Sequence, residues 1–68
     1  MGKMVYNLLV LERNVPLMEK LLDQFQVGYY DWDKSKVFIL HGCRLVNYTM
    51  LCDAETHKSI ETALHNSV

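Results

Sequence analysis

The sequence lacks the features that define several large classes of protein. Its 68 residues include three glycines and none in a cluster, so no glycine-rich loop is present to cradle a phosphate. No apolar run reaches the ~20 residues of a membrane-spanning helix. The motifs G-x-S-x-G, H-E-x-x-H and C-x-x-C are missing as well. We therefore expect a protein with no enzymatic activity, no cofactor and no membrane association.

Positively and negatively charged residues are nearly equal in number. Seven Lys and Arg residues stand against eight Asp and Glu residues, which gives a net charge of −1 and a pI of about 6.2. Such a chain has no overall basic field to draw it to nucleic acid or anionic lipid. The apolar run near the N-terminus is broken by Asn7 and ends at Glu12, too short for a signal peptide. We expect a cytoplasmic protein whose two cysteines are reduced thiols.

The hydrophobic pattern of the first half predicts a strand followed by a helix. Half of the residues are hydrophobic, which suits one globular domain over residues 1–68. Residues 4–11 are nearly apolar on both faces, as in a buried strand. Asn14 can cap a helix that has Pro16 in its first turn. The apolar stripe of that helix consists of Met18, Leu21, Leu22 and Phe25.

The second half predicts strands and a final helix. Residues 27–32 are strand-like by their aromatic content, residues 33–35 suit a turn, and residues 37–40 form the next strand. Residues 45–52 are predicted as a further strand, reached by a tight turn at Gly42 or by a bulge; a helix is the alternative. Asp53 caps the last helix, whose inner face carries Ile60, Ala63 and Leu64.

The order β-α-β-β-(β)-α predicts an α+β two-layer sandwich: an antiparallel or mixed sheet of three or four strands with two helices. At the level of architecture this resembles half of a ferredoxin-like fold, a group that includes small regulatory modules that dimerise sheet to sheet. The resemblance concerns the fold alone, because no motif in the sequence identifies a family and a fold does not determine a function.

Four side chains have the chemistry of zinc ligands: His41, Cys43, Cys52 and His57. The spacing H-x-C-x8-C-x4-H matches no known zinc knuckle, and buried cysteines commonly serve as small hydrophobic residues. We expect no metal and keep these four as the alternative. Either cysteine could also act as a nucleophile if a histidine or a helix N-terminus lowered its pKa, as the position of Cys52 before the last helix would allow.

The most informative feature is aromatic. In a regular strand Tyr30 and Trp32 would share one face and Tyr29 would lie on the other. Tyrosine and tryptophan dominate the energetics of protein interfaces, and these rings exceed what one face of a small core needs. We predict a partner-binding surface made of Tyr29, Tyr30, Trp32 and Tyr48, with Lys34 and Arg44 at its rim.

These observations predict a small non-catalytic protein–protein interaction module, a stand-alone binder or inhibitor of the accessory or phage-encoded type. Leu9, Leu11 or Val46 would add apolar area to an open sheet face and favour a homodimer. Two alternatives remain. A single-stranded nucleic acid could stack its bases on the rings beside Lys34, Lys36 and Arg44, or a dimer interface could hold a small regulatory ligand.

Overall fold

The computed structural model of the chain describes residues 2–66. Its elements are β1 (Met4–Leu11), a 3-10 turn (Glu12–Asn14), α1 (Val15–Gln24), β2 (Trp32–Leu40), β3 (Cys43–Cys52) and α2 (Ala54–Asn66). The three strands form one antiparallel sheet in the order β1-β3-β2, so that β3 is central and both other strands are edges. The predicted α+β class, with two helices and an antiparallel sheet, is confirmed.

The core lies between one face of the sheet and the two helices. Alternate residues of β3 point toward the helices, and four of these five, Val46, Tyr48, Met50 and Cys52, are buried, whereas Arg44 near the hairpin turn is exposed. From the helices, the largest contributions come from Met18, Leu22 and Ile60, all at most 1% exposed. The strand over residues 45–52 is thus confirmed against the helical alternative, since its burial follows a two-residue period.

The apolar stripe predicted for the first helix is confirmed. Met18, Leu21 and Leu22 are buried and Phe25 packs at the edge of the core. Asn14 occupies the N-cap position of α1, although its side chain makes no capping hydrogen bond. The predicted start of the last helix also holds, because the backbone N–H of His57 donates to the carbonyl oxygen of Asp53 at 3.0 Å.

A tight turn joins β2 to β3, as one of the two sequence alternatives proposed. His41 and Gly42 both have positive φ angles, 52° and 78°, and they connect the paired residues Leu40 and Cys43. Two consecutive left-handed residues define the two-residue hairpin turn whose twist matches that of the flanking strands. Glycine meets this requirement without strain at the second position.

Two predicted boundaries are wrong. Residues 27–31 precede the sheet rather than forming a strand, and residues 33–35 lie inside β2 rather than in a turn. The predicted strands over 27–32 and 37–40 are therefore replaced by one strand that begins at Trp32, and residues 2–66 contain no fourth strand. The physical reason is local: the end of α1 and a turn in which Asp31 N–H donates to Gly28 O, at 2.9 Å, delay the start of pairing. The ferredoxin-like arrangement stays a prediction.

No helix within residues 2–66 combines the length and the apolar character that crossing a membrane requires.

Candidate functional site

The end of α1 positions the aromatic residues. Gln26 adopts a left-handed conformation, with φ of 60°. Its N–H donates to Asp23 O at 3.1 Å, and Val27 N–H donates to Leu22 O at 2.8 Å. This pair of hydrogen bonds is the Schellman ending of a helix, and the buried Val27 and Leu22 supply its hydrophobic contact. The chain is anchored at Val27 immediately before the aromatic residues.

Tyr29, Tyr30 and Trp32 form what we call the aromatic corner. Tyr29 is 86% exposed and Tyr30 is 104% exposed, whereas Trp32 is half-buried and packs against the core. The ring of Trp32 lies 5.7 Å from that of Tyr48, and the ring of Tyr29 lies 6.1 Å from that of Trp32. The corner thus has one ring fixed by the core and two exposed to solvent.

The predicted division of the rings between two faces is wrong. Tyr29 was expected on the face opposite Trp32, but it stacks on Trp32 because residues 29 and 30 lie in a turn and not in a strand. A turn releases side chains from the strict alternation of a strand. Tyr30, rather than Tyr29, projects away from the ring pair and lines a shallow cleft with Val5 and Leu51.

Tyr48 belongs to the core and not to the accessible surface. It is 0% exposed, and its hydroxyl donates to Glu19 Oε2 at 3.1 Å. The ammonium of Lys34 lies 2.9 Å from the same carboxylate oxygen. Lys34 and the Tyr48 hydroxyl lower the pKa of Glu19, Lys34 having the larger effect, and burial raises the pKa of Tyr48 above its usual value. We therefore remove Tyr48 from the predicted contact set.

A groove of about 180 Å³ runs beside the ring pair of the corner. It is lined by Glu19, Asp23, Val27, Gly28, Tyr29 and Trp32. Two carboxylates from one face of α1 therefore stand next to two aromatic rings. A positively charged side chain suits such a groove, since it is attracted both to carboxylates and to the faces of aromatic rings.

Arg44 does not flank the aromatic corner. It is the sheet partner of Ile39, whereas Trp32 is the partner of Met50. Six residues along β3 separate the two positions by about 20 Å. Lys34 does lie near the corner, with its charge paired to Glu19. The predicted basic rim is therefore reduced to one lysine.

The open face of the sheet differs from the predicted apolar surface. Val46 lies in the core, and polar side chains cross the middle of the open face. Thr49 Oγ1 donates to Asn7 Oδ1 at 2.8 Å, and Asn47 Nδ2 donates to Ser35 Oγ at 3.2 Å. Apolar side chains such as Leu9 and Val5 remain on either side of this polar band. The whole face is thus poorly suited to sandwich-like packing on a second sheet.

The four candidate metal ligands are not brought together. His41 and Cys43 lie at the hairpin turn, and Cys52 and His57 lie at the opposite end of β3. Nine residues of strand span about 30 Å. No group of three or more His, Cys, Asp and Glu side chains within residues 2–66 is arranged to hold a metal ion. The ring of His57 instead stacks on that of Tyr6, 4.2 Å away.

Cys52 does not have the activated thiol that a nucleophile requires. Burial raises its pKa, the negative charge of Asp53 adds to this effect, and the backbone N–H of His57 opposes it. A raised pKa lowers the fraction of thiolate, which is the reactive form. Cys43 is exposed, and neither cysteine forms a disulfide in the described part of the chain.

The sequence-based prediction of the site did not include Glu19 and Asp23, because it rested on the aromatic residues and considered only the apolar stripe of α1. One signal was available: the two carboxylates are four residues apart on a helix, so they share one face, and that helix ends next to the aromatic residues. It also missed Val5 and Leu51, which only the register of β1 on β3 brings beside Tyr30.

Comparison with models of known protein families, with curated proteins and with solved structures finds no match to this chain.

Proposed function

We propose that this chain is a non-catalytic protein-interaction module that binds another protein at the aromatic corner. The observation that carries the proposal is the exposure of Tyr29 and Tyr30 beside the anchored ring of Trp32. Large rings lose little conformational freedom on binding and cover much area, which is why they are enriched at interface hot spots. A stand-alone binder or inhibitor in the cytoplasm would act through this surface and would need neither catalytic residues nor a cofactor.

Preorganisation supports this role. The ring of Tyr29 rests on Trp32, which in turn rests on the buried ring of Tyr48. The backbone before them is held by the buried side chain of Val27. A partner therefore meets the rings of Tyr29 and Trp32 already stacked on the core, and less entropy is lost at these two positions than with free side chains.

The groove beside the rings defines the chemistry of the partner. Asp23 is exposed there, and Glu19 contributes a carboxylate that already holds Lys34. An arginine or lysine of the partner would place its aliphatic stem against Tyr29 and its charge near Asp23. We propose that the bound segment of the partner carries at least one such basic residue.

The electrostatics of the corner disfavour the nucleic-acid alternative. Asp23, Asp31 and Asp33 surround the rings, and the two ammonium groups near them are already paired, that of Lys34 with Glu19 and that of Lys3 with Asp31. A strand of phosphates would meet repulsion where basic residues are needed to neutralise it. No polar cluster of the described residues favours the small-ligand alternative over a protein partner.

Site-specific photocrosslinking in the source cells tests the proposal. A photoreactive benzoylphenylalanine replaces Tyr30, and a matched variant carries it at Lys58, an exposed position on α2. We expect one discrete crosslinked protein, of a mass different from that of this chain, at position 30 and none at position 58. Tyr29→Ser should abolish that crosslink.

Three results would contradict the proposal: equal labelling at both positions, labelling only of further copies of this chain, or labelling that survives Tyr29→Ser unchanged. Nucleic acid recovered at position 30, with capture that weakens steeply as salt is added, would support the alternative instead.

A further inference from the structure

The second half of β2 exposes a continuous apolar segment. Val37, Phe38, Ile39 and Leu40 are each at least 49% exposed, and Ile39 reaches 73%. They lie at the end of β2 next to the hairpin turn, opposite the end that carries the aromatic corner. Their side chains alternate between the two faces, so this segment of β2 presents apolar side chains on each face. We call residues 37–40 the apolar edge.

The apolar edge is also an open edge of the sheet. β2 pairs with β3 alone among the described strands, so its outer side has no partner. An edge strand has unpaired backbone groups that can pair with a strand of another chain, and proteins commonly protect such edges with lysines, prolines or bulges. The first half of β2 has such protection, from Lys34, Lys36 and the irregularity between Ser35 and Val37. The apolar edge has none.

The backbone of this segment is suited to antiparallel pairing. In a two-residue hairpin the residues that flank the turn, Leu40 and Cys43, exchange their hydrogen bonds across the ladder. Hydrogen-bonded and non-hydrogen-bonded pairs then alternate, so Ile39 and Val37 direct their N–H and C=O groups outward. These four polar groups are available to another strand.

The chain exposes more surface than a compact monomer of its mass. The accessible surface of the chain is 5122 Å², whereas a compact 8.0 kDa monomer is expected to expose about 4,450 Å². The excess of about 670 Å² accords with the extended shape of the molecule, 38 × 23 × 16 Å, to which the exposed residues of the hairpin end contribute.

We propose that the apolar edge pairs with the same edge of a second copy of this chain, antiparallel, around a twofold axis at Phe38. In this register Val37 faces Ile39 of the partner copy, and four backbone hydrogen bonds join the strands. Phe38 faces Phe38 of the partner copy on the other side of the joined sheet. Pairing of the two three-stranded sheets at this edge gives one continuous sheet of six strands.

Self-complementarity favours a second copy over a different strand. In this register, residues that face each other lie on the same side of the joined sheet. Val37 and Ile39 lie on the helix side, as do their partners in β3, Val46 and Arg44. Phe38 lies on the open side, as does its partner Leu45. No ionised side chain lies within the apolar edge itself, and a net charge of −1 opposes association only weakly. A twofold interface uses one surface twice and closes on itself, so it ends at a dimer.

Sedimentation velocity under reducing conditions tests this inference. We expect a dimer that Ile39→Lys dissociates, with a rise in the dimer dissociation constant of at least about tenfold. Val5→Lys is the matched control, since Val5 is also an exposed apolar residue, at 64% against 73% for Ile39, and lies on the other edge strand. A monomeric parent protein would overturn the inference. So would a dimer insensitive to Ile39→Lys, or one that both substitutions dissociate.

A crosslinking measurement decides the case in which Ile39→Lys impairs folding. Directly opposed residues of a non-hydrogen-bonded antiparallel pair lie about 4.5 Å apart at Cα, within disulfide range. In a Cys43→Ser background, Phe38→Cys should form an intermolecular disulfide on mild oxidation and Val5→Cys should not. Equal crosslinking of both would overturn the inference.

The dimer and the proposed function can fail independently. The aromatic corner lies at the start of β2 and the apolar edge at its end, so pairing leaves the corner free. Ile39→Lys should therefore keep the photocrosslink at position 30, and Tyr29→Ser should keep the dimer.

Discussion

Tyr29 stacks on Trp32, with ring centroids 6.1 Å apart and ring planes inclined by 30°. Trp32 in turn contacts the buried ring of Tyr48. This stack connects the exposed Tyr29 to the centre of the core through one half-buried ring. The three positions should therefore differ in a graded way, with stability depending most on the inner ring and recognition depending most on the outer ones.

Substitutions in the aromatic corner should separate stability from binding. Trp32→Ala removes a half-buried ring and its contacts with two others, and we expect a loss of about 2–3 kcal/mol in the free energy of unfolding. Tyr30→Ser removes a ring that contacts mainly solvent and should change that free energy by less than about 0.5 kcal/mol. Urea denaturation measures both values.

Trp32→Phe is the control for the inner position, because it keeps a ring against Tyr48 and should recover part of the loss. Equal destabilisation by Trp32→Ala and Tyr30→Ser would mean that Tyr30 packs on the fold in solution.

The left-handed end of α1 gives a prediction of increased stability. Gln26 has φ of 60°, a conformation that costs a residue with a Cβ about 1 kcal/mol relative to glycine. Gln26→Gly should therefore raise the free energy of unfolding by roughly 0.5 kcal/mol after the greater flexibility of the unfolded chain is counted.

The matched control is Gln24→Gly, the same change within α1, where glycine should cost about 0.5–1 kcal/mol. Thermal unfolding of both variants measures the difference. A destabilised Gln26→Gly variant would contradict the left-handed assignment.

The sequence predicted the helices and strands better than it predicted the arrangement of the candidate site. Helices and strands depend mainly on residues close together in the chain, whereas the arrangement of the site depends on residues far apart in it. The periodic burial of Met18, Leu21 and Leu22 is encoded locally, since a helix repeats every 3.6 residues. The start of β2 depended on whether α1 ended in a Schellman motif, and Gln26 in place of the usual glycine gave no signal. Without that signal, residues 29–32 were predicted as part of a strand, because three of the four are aromatic.

The proximity of the three aromatic residues of the candidate site was predictable for the same reason. Tyr29, Tyr30 and Trp32 are neighbours in sequence, so their proximity needed no knowledge of the fold. The burial of Tyr48 and the distance of Arg44 from the corner follow from the register of β2 on β3, which pairs residues far apart in the chain. Register is set by the bulge before Val37 and the turn at Gly42 together, and neither has a unique sequence signature.

Acid should weaken the fold through Glu19. Lys34 and Tyr48 lower the pKa of this carboxyl below its usual 4.5 in the folded state. A group with a lowered folded pKa stabilises the fold above its unfolded pKa, and that contribution is lost as the pH falls through the folded pKa. We expect Glu19→Gln to remove a stability difference between pH 6 and pH 3 of about 0.5–1 kcal/mol, a small value because the pair is partly exposed.

Asp23→Asn is the control, since Asp23 lies on the same helix face. Urea titrations of both variants at the two pH values measure the effect. The same dependence on pH in the parent and in Glu19→Gln would exclude this ion pair as a source of stability.

Alkali should weaken the fold through Tyr48. Burial raises the pKa of its hydroxyl above the usual 10.0, and Glu19 adds to that effect. A group with a raised folded pKa stabilises the fold below its unfolded pKa, and the contribution declines as the pH rises beyond it. Between pH 9 and pH 11 the parent should therefore lose more stability than Tyr48→Phe, whose ring fills the same space.

Tyr30→Phe is the control, because it makes the same substitution at an exposed position, and it should behave as the parent does. The measurement is the midpoint of urea unfolding against pH. A Tyr48→Phe variant as sensitive to alkali as the parent would assign that sensitivity to other groups.

The two cysteines should differ sharply in reactivity. Cys43 is exposed beside the hairpin turn, whereas Cys52 is buried and its pKa is raised. Because the thiolate is the reactive form, labelling with a thiol reagent at pH 8 should show one fast and one slow phase. Cys43→Ser should abolish the fast phase. The slow phase should accelerate with urea, because Cys52 becomes accessible only when α2 separates from the sheet.

Two fast phases in the native protein would contradict the packing of Cys52 against that helix. Slow labelling of Cys43 that becomes faster when a zinc chelator is added would support a metal site at the turn instead.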